Sequence, residues 1–374
     1  MALNCGIIGL PNVGKSTIFS ALSSSSVEIA NYPFCTIKPN VGVVNIIDER
    51  LDRLVEIFEP ERKIPATVEF VDIAGLVKGA SEGEGLGNQF LSHIREVGVV
   101  VHAIRCFDDP NVIHVANKVD PDADIETINV ELALADLDTL AKRREKAERS
   151  LKVQGKPEQK TVETVLAALE KIEVLLEKGG RALSAVLSDD EKAAIYDCHF
   201  ITMKPQVYVC NVDEDGMKAF AIGKSNEYVS TVQRRAAVEG VEVIVICGKF
   251  EAELAAIEDT EEKKAFLAEI GLKEPGLTVL THTAYRLLGL RTFFTAGADE
   301  CRAWTIRAGD TAPKAAGIIH TDFERGFIKA ETYSYRDIVL YGSEAKIKEA
   351  GKYRVEGREY VVQDGDVLFF KFNV

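Results

Sequence analysis

Two rhythms alternate along this chain: short, nearly unbroken apolar runs, and stretches where apolar residues recur every three or four positions. Residues 3–8 (LNCGII) read as a buried strand and 18–24 (IFSALSS) as a helix. Residues 41–47 (VGVVNII) alternate weakly, like a strand, and 50–58 (RLDRLVEIF) have helical spacing that stops before Pro60. A further strand is expected over 67–71. Residues 97–107 (VGVVVHAIRCF) form the near-continuous apolar run of a central parallel strand. From 125 to about 149 the period turns helical, with Leu132, Leu134, Leu137 and Leu140 in step, and 162–178 repeats it between Gly155-Lys156-Pro157 and Gly179-Gly180. Two amphipathic helices across a short break predict an antiparallel hairpin, with a third helix, 189–196, leading back. A strand over 206–210, a helix over 228–237 and a last strand within 241–251 complete a strand–helix alternation. It predicts an α/β fold with a doubly wound, mostly parallel sheet and a ligand at the strands' carboxyl ends. From about residue 277 the rhythm changes. A short helix, 278–290, and then alternating strands from 309 onward with Glu-Gly and Asp-Gly turns suggest a small α+β domain.

Chemistry enters between the first strand and the first helix. Gly9–Thr17 reads GLPNVGKST and matches G-x-x-x-x-G-K-[ST], the phosphate-binding loop of P-loop nucleotide hydrolases. Its glycines let backbone N–H groups turn toward phosphates, Lys15 reaches the β and γ phosphates, and the Ser16 hydroxyl coordinates Mg²⁺. Asn12, Val13, Gly14, Lys15, Ser16 and Thr17 are therefore the expected phosphate cradle. About one chain in a hundred of this length would match by accident; strand before and helix after make accident a poor account. The irregular YPFCTIKPNVG segment offers Thr36 to complete the Mg²⁺ shell. Asp72, at the end of the 67–71 strand, opens Asp72-x-x-Gly75, with the aspartate holding Mg²⁺ through water and the Gly75 amide sensing the γ-phosphate. The glycine-rich stretch that follows, through Gly79, Gly83, Gly85 and Gly87, reads as a switch. Leu76 stands where Ras-like proteins carry the glutamine that orients the attacking water, so that group must come from elsewhere. Asn12 has two readings: a K⁺ ligand beside the phosphates, as in related GTPases, or a turn-stabilising side chain after Pro11.

Two tetrads compete for the base. Asn117-Lys118-Val119-Asp120 spells the guanine motif N-K-x-D, but no buried strand leads into it. Asn211-Val212-Asp213-Glu214 sits where the motif belongs, after the 206–210 strand. There the lysine stem is replaced by Val212 and the carboxylate of Glu214 is displaced by one methylene. Adenine, with an acceptor where guanine has a donor, would bind through Asn211 and the backbone near Val212, so guanine preference should vanish or reverse.

Composition narrows the setting. A length of 374 residues suggests two or three domains, and 46% apolar content supports their cores. A net charge of −14 excludes broad nonspecific coating of nucleic acid but leaves room for a basic patch. Such a patch is offered by the hairpin end: Lys142, Arg143, Arg144, Lys146, Arg149 and Lys152. Seven scattered cysteines with no C-x-x-C pair fit a reducing compartment without structural zinc. No apolar segment reaches membrane-spanning length, and the first apolar run feeds the phosphate loop, so a cytoplasmic protein with no membrane or DNA partner is expected.

GLPNVGKST, NYPFCTIKPNVG, DIAGLVKGASEGEGLGNQFL and the NVDE tetrad together resemble the Obg-like ATPases of the YchF type, and the likeness extends over the whole chain. The resemblance implies a nucleotide domain (1–127 with 204–276), an inserted helical hairpin domain (128–203) and a C-terminal TGS domain of β-grasp type (277–374). It implies ATP as the nucleotide, Mg²⁺ as the metal and the ribosome, its large subunit or the whole particle, as partner. It also implies a water-positioning role for the histidine of FDDPNVIHV, His114, ahead of His93 on the switch helix and of His102, a core histidine. Two alternatives remain: an Obg-class GTPase, and a ribosome-binding factor whose hydrolysis is incidental.

Overall fold

The computed structural model describes residues 3–24, 40–73, 86–112, 114, 118–151, 156–257 and 259–373. Its strands are β1 (Asn4–Ile8), β2 (Val41–Asn45), β3 (Arg62–Ile64), β4 (Thr67–Asp72), β5 (Val99–Arg105), β6 (Gln206–Asn211), β7 (Glu242–Ile246), β8 (Leu290–Ala296), β9 (Glu300–Arg307), β10 (Phe327–Ser334), β11 (Arg354–Glu356) and β12 (Asp366–Phe372).

The first sheet has the order β2-β4-β1-β5-β6-β7. β1 lies parallel between β4 and β5, and β5, β6 and β7 continue in parallel. Every residue of β5 and of β6 is buried, which is why both read as unbroken apolar runs. The register Ile8↔His102 and Arg105↔Asn211 brings the carboxyl ends of β1, β5 and β6 to one edge. Beneath them Tyr208, Cys210 and Val212 pack with Val229, Val232 and Phe250 of the helices Glu227–Glu239 and Gly248–Ala256. Asn226 caps the first of these by accepting from Val229 N, and Gly240, at φ 65°, ends it in the left-handed conformation that glycine tolerates.

The helical hairpin is present. Its arms are Pro121–Leu151 and Lys156–Leu176, and the first starts before the expected residue 125, because a proline fits the first turn of a helix where no N–H partner is needed. Leu140, Ala147, Val165, Leu169, Ile172 and Phe200 form its core. The return segment is anchored by fully buried Asp136, which accepts from Ile201 N (2.9 Å), Thr202 N (2.7 Å) and Thr202 Oγ1 (2.7 Å). The basic end is largely neutralised within the hairpin itself. Lys142 pairs with Asp138 at 2.6 Å, Arg143 with Asp197 at 3.4 Å, Arg144 with Glu173 at 2.6 Å, and Arg149 with Glu145.

By compactness the chain forms two units, and residues 43–68, expected in the nucleotide domain, group with 280–374. The second sheet, β11-β10-β12-β8-β9-β3, is mixed: β8 and β9 are antiparallel, β10 and β12 are antiparallel, and β12 runs parallel to β8 at Val367↔Phe294. Phe293, Ile306, Phe327, Leu368 and Phe370 form its core with Ala312, Ala315 and Ala316 of the helix Ala312–Ile319. Two expectations needed correction. The helix expected over 278–290 runs from Gly276 to Leu287, and strands begin at Leu290 with the hairpin β8–β9, ahead of the expected residue 309. Residues 335–341 are helical instead of a strand, because Ser334 and Asp337 build a capping box that starts Tyr335–Tyr341.

Candidate nucleotide site

The loop between β1 and the helix Lys15–Ser24 has the backbone a phosphate cradle requires. Asn12 (φ 63°) and Gly14 (φ 92°) turn left-handed, and a Cβ on Gly14 would run into the Asn211 side chain. Lys15 is 8% exposed and its Nζ donates to Leu10 O at 2.8 Å, bracing its own loop. Burial pulls the Lys15 ammonium down from its ordinary value and the charge of Asp72 opposes the change. Asp72, the last residue of β4, shows the mirror image: burial raises its carboxyl and Lys15 opposes. The two motifs are thus electrostatically joined across β1 and β4, which pair at Ile7↔Asp72. Asp72 Oδ1 is buried without a hydrogen-bond partner among the described residues. A buried, unsatisfied carboxylate oxygen beside a cation is the acceptor expected for a water held by a metal ion. Ser16 is the second residue of the adjoining helix, directly after Lys15. Thr36, Gly75 and Leu76 lie outside the described residues.

Asn211, ending β6, fastens the base side to the phosphate side. Its Nδ2 donates to Val13 O at 2.9 Å and its Oδ1 accepts from Gly248 N at 3.0 Å. Val212 N donates to Ile246 O at 2.8 Å. Neither carboxylate of the tetrad is left over. Asp213 caps the helix Glu214–Ala221, accepting from Gly216 N at 2.8 Å, and Glu214 pairs with Lys249 at 2.6 Å. Lys249 holds the Glu214 carboxyl below its ordinary value, although both side chains are exposed. Lys249 was not anticipated from sequence, since its relation to Glu214 exists only once the β7–helix loop folds beside β6.

The competing tetrad has no such place. Asn117 is outside the described residues, and Lys118–Asp120 lead directly into the helix from Pro121, with Asp120 Oδ1 accepting from Ala123 N. The histidines separate clearly. His93 is exposed on the helix Leu86–Glu96. His102 is buried in β5, edge-on to Tyr208 at 5.5 Å, and burial pushes it down to about 3, so it is a neutral core residue. His114 is buried, with Nε2 3.0 Å from Asp124 Oδ2.

Two family models match the chain: one for the YchF GTPase C-terminal region, described as a protein of unknown function, over residues 290–373, and one described as a 50S ribosome-binding GTPase over residues 4–165. Curated relatives named Ribosome-binding ATPase YchF align over the full length of both chains, at 52% identity in Haemophilus ducreyi, 53% in Escherichia coli O157:H7 and 51% in Bacillus subtilis. The solved structure of the Schizosaccharomyces pombe YchF GTPase superposes with a TM-score of 0.88 at 38% identity, covering 99% of this chain and 97% of that one. A GTP-binding protein from Pyrococcus horikoshii shares the fold, with a TM-score of 0.59 at 20% identity over 99% of this chain and 100% of that one.

Proposed function

This chain belongs to the YchF family, and we propose that it binds ATP with Mg²⁺ and hydrolyses it slowly, as a ribosome-associated switch in the cytoplasm. The observation that carries the choice of base is the double engagement of Asp213 and Glu214. Guanine needs a carboxylate to accept from its N1–H and its amino group, each charge-assisted bond contributing about 1.5–3 kcal/mol. One carboxylate is turned to cap a helix and the other is held by Lys249, so neither is committed to guanine. Adenine needs none: its amino group meets the Val212 carbonyl and the remaining lone pair of Asn211 Oδ1. Relatives that carry the name ATPase support the same reading.

Within that reading Lys15 moves from Leu10 O to the β and γ phosphates, joined by the backbone N–H groups of the loop through Thr17. Ser16 and Thr36 would hold Mg²⁺ directly and Asp72 would hold it through water, for which its buried Oδ1, without a partner among the described residues, is suited. The metal supplies neutralisation of charge building on the phosphate oxygens. Gly75 reports the γ-phosphate to the glycine-rich switch. Asn12, exposed and left-handed at φ 63°, would either ligate a K⁺ beside the phosphates or stabilise the turn after Pro11. With leucine at position 76, His114 orders the attacking water, and turnover without the ribosome falls on the order of 10⁻³ to 10⁻² s⁻¹. Residues 277–374, with their strands and helices, would serve as the TGS-type domain.

Titration with fluorescent ATP and GTP analogues tests the base assignment. ATP should bind at least as tightly as GTP, and Lys249→Met, which frees Glu214, should improve GTP relative to ATP about threefold, within what an exposed ion pair gives. A tenfold GTP preference in the unaltered protein would overturn the ATP reading. No change in Lys249→Met would show that Glu214 is turned away by its length alone.

A further inference from the structure

β5 lies between the strand that carries the phosphate loop and the strand that carries the base tetrad. The segment leaving its carboxyl end therefore emerges over the nucleotide, and it is held with unusual care. Arg105, 1% exposed, donates through Nε to Phe107 O (3.1 Å), through one terminal nitrogen to Val112 O (2.9 Å) and through the other to Asp109 O (3.2 Å), with its guanidinium 4.8 Å from the Phe107 ring. Asn226 Nδ2 donates to Cys106 O at 2.9 Å, and Tyr228 donates to Asp108 at 2.7 Å. A buried arginine spending its donors on three carbonyls of one loop makes that loop a rigid arch. His114 stands just past the arch, and its ring meets Asp124, in the first turn of the helix Pro121–Leu151. Both groups are inside the protein, at 6% and 5% exposure.

We propose that Asp124 is the positioning residue for His114: by accepting a hydrogen bond from Nε2 it keeps the ring proton on that nitrogen and fixes the plane of the ring that orders the attacking water. The inference rests on the reading of His114 as the water-ordering residue and adds what holds it. The chemistry is that of any carboxylate–imidazole pair. A carboxylate has only acceptor sites, so the imidazole must donate, and the neutral ring then has one tautomer. Burial raises the Asp124 carboxyl and Asp120 adds to the rise, while the hydrogen bond and charge of His114 and the charge of Arg105 oppose it. In water the pair would be exchanged for solvent; at these exposures the ring has no such alternative.

The test compares turnover and ATP affinity in the unaltered protein, His114→Ala, Asp124→Asn, Asp124→Glu and the double variant His114→Ala/Asp124→Asn. An amide can donate as well as accept, so Asp124→Asn loses the fixed tautomer at almost constant shape. Asp124→Asn should lower kcat at least tenfold with ATP affinity unchanged within twofold, and Asp124→Glu should recover part of the loss. The double variant should be no slower than His114→Ala alone, because the two residues act as one unit. Imidazole ¹⁵N shifts of His114 should report the Nε2–H tautomer in the unaltered protein and its loss in Asp124→Asn. Turnover of Asp124→Asn within twofold of normal, beside an inactive His114→Ala, overturns the proposal and leaves the histidine reading standing. Normal turnover in His114→Ala overturns the histidine reading itself. A loss in Asp124→Asn that comes with weakened ATP binding, or that multiplies with the loss of the histidine, assigns Asp124 a structural role and also overturns the proposal.

Discussion

Glu251 shows how much of this site is held by residues that no motif announces. It lies on the helix Gly248–Ala256, just after the loop that Asn211 holds, is 2% exposed, and accepts from Gly276 N at 2.7 Å and from the Leu277 amide. Burial raises its carboxyl to about 7 from 4.5, against the lowering effect of the two amides. The folded chain thus binds this proton more tightly than the unfolded chain does. Stability contributed by the group is full below pH 4.5, falls as pH rises through the window to 7, and stays lost above it. A difference of that size is worth on the order of 3 kcal/mol. Glu251→Gln keeps the acceptor for the amides and removes the charge. It should therefore be more stable than the unaltered protein at pH 8, by about 1–3 kcal/mol in urea titration, and no more stable at pH 4.5. An equal effect at both pH values would remove the charge from the explanation. The phosphate loop was legible in the sequence because its residues are contiguous and each is required by the same ligand. Arg105, Asp124, Lys249 and Glu251 were not, because each acquires its role from a partner, or a burial, that only the folded chain supplies.

Elements were legible where one periodicity ran long. β5 and the two hairpin arms stand out because seven buried strand residues, or several helical turns, repeat one pattern. The β8–β9 hairpin was hidden because Leu290–Arg307 mixes buried and half-buried positions on both faces, and Tyr335–Tyr341 was hidden because its helix rests on a capping box more than on periodicity. The helix Glu49–Phe58 was seen as a helix, but its grouping with the second unit was not. That grouping depends on Arg50, which bonds Asp364 at 2.7 Å and lies over Phe294 at 5.3 Å, more than two hundred residues away in the chain. For the hairpin, the controlling contact is Asp136 with its three donors from Ile201 and Thr202. Removing a fully buried acceptor strands those donors, at about 3 kcal/mol in all. Asp136→Ala should lower global stability by that order and speed hydrogen exchange at residues 201–202, while ATP affinity stays within twofold because the phosphate loop and the base tetrad lie elsewhere on the sheet. Unchanged exchange at those amides would show that the hairpin core of Leu169, Ile172 and Phe200 suffices without the anchor.

At the scale of the whole molecule the question is how a chain of net charge −14 would approach a ribosome, itself a polyanion. The charge is unevenly placed: residues 290–373 contain 13 Lys and Arg and 13 Asp and Glu, so the whole excess of acid lies before them. Four of the six cations at the hairpin end, Lys142, Arg143, Arg144 and Arg149, are matched by Asp138, Asp197, Glu173 and Glu145. The second unit offers a different surface. Lys371 lies over Phe369 at 4.2 Å, with Phe369 57% exposed, and Lys348 lies over Tyr353 at 4.4 Å. A cation beside the exposed Phe369 ring suits an unstacked RNA base and its phosphate, where base–aromatic stacking adds about 1–3 kcal/mol per base. Ribosome co-sedimentation should therefore weaken steeply between 50 and about 200 mM salt. The paired reversal Lys348→Glu/Lys371→Glu should cost roughly tenfold in affinity and flatten the salt dependence. The reversal Lys142→Glu/Arg143→Glu should cost less, since it removes cations already matched by Asp138 and Asp197. If instead the hairpin reversal abolishes binding and the sheet reversal leaves it intact, the internal ion pairs must open on contact, and the ribosome would be engaged by the hairpin and not by the second unit.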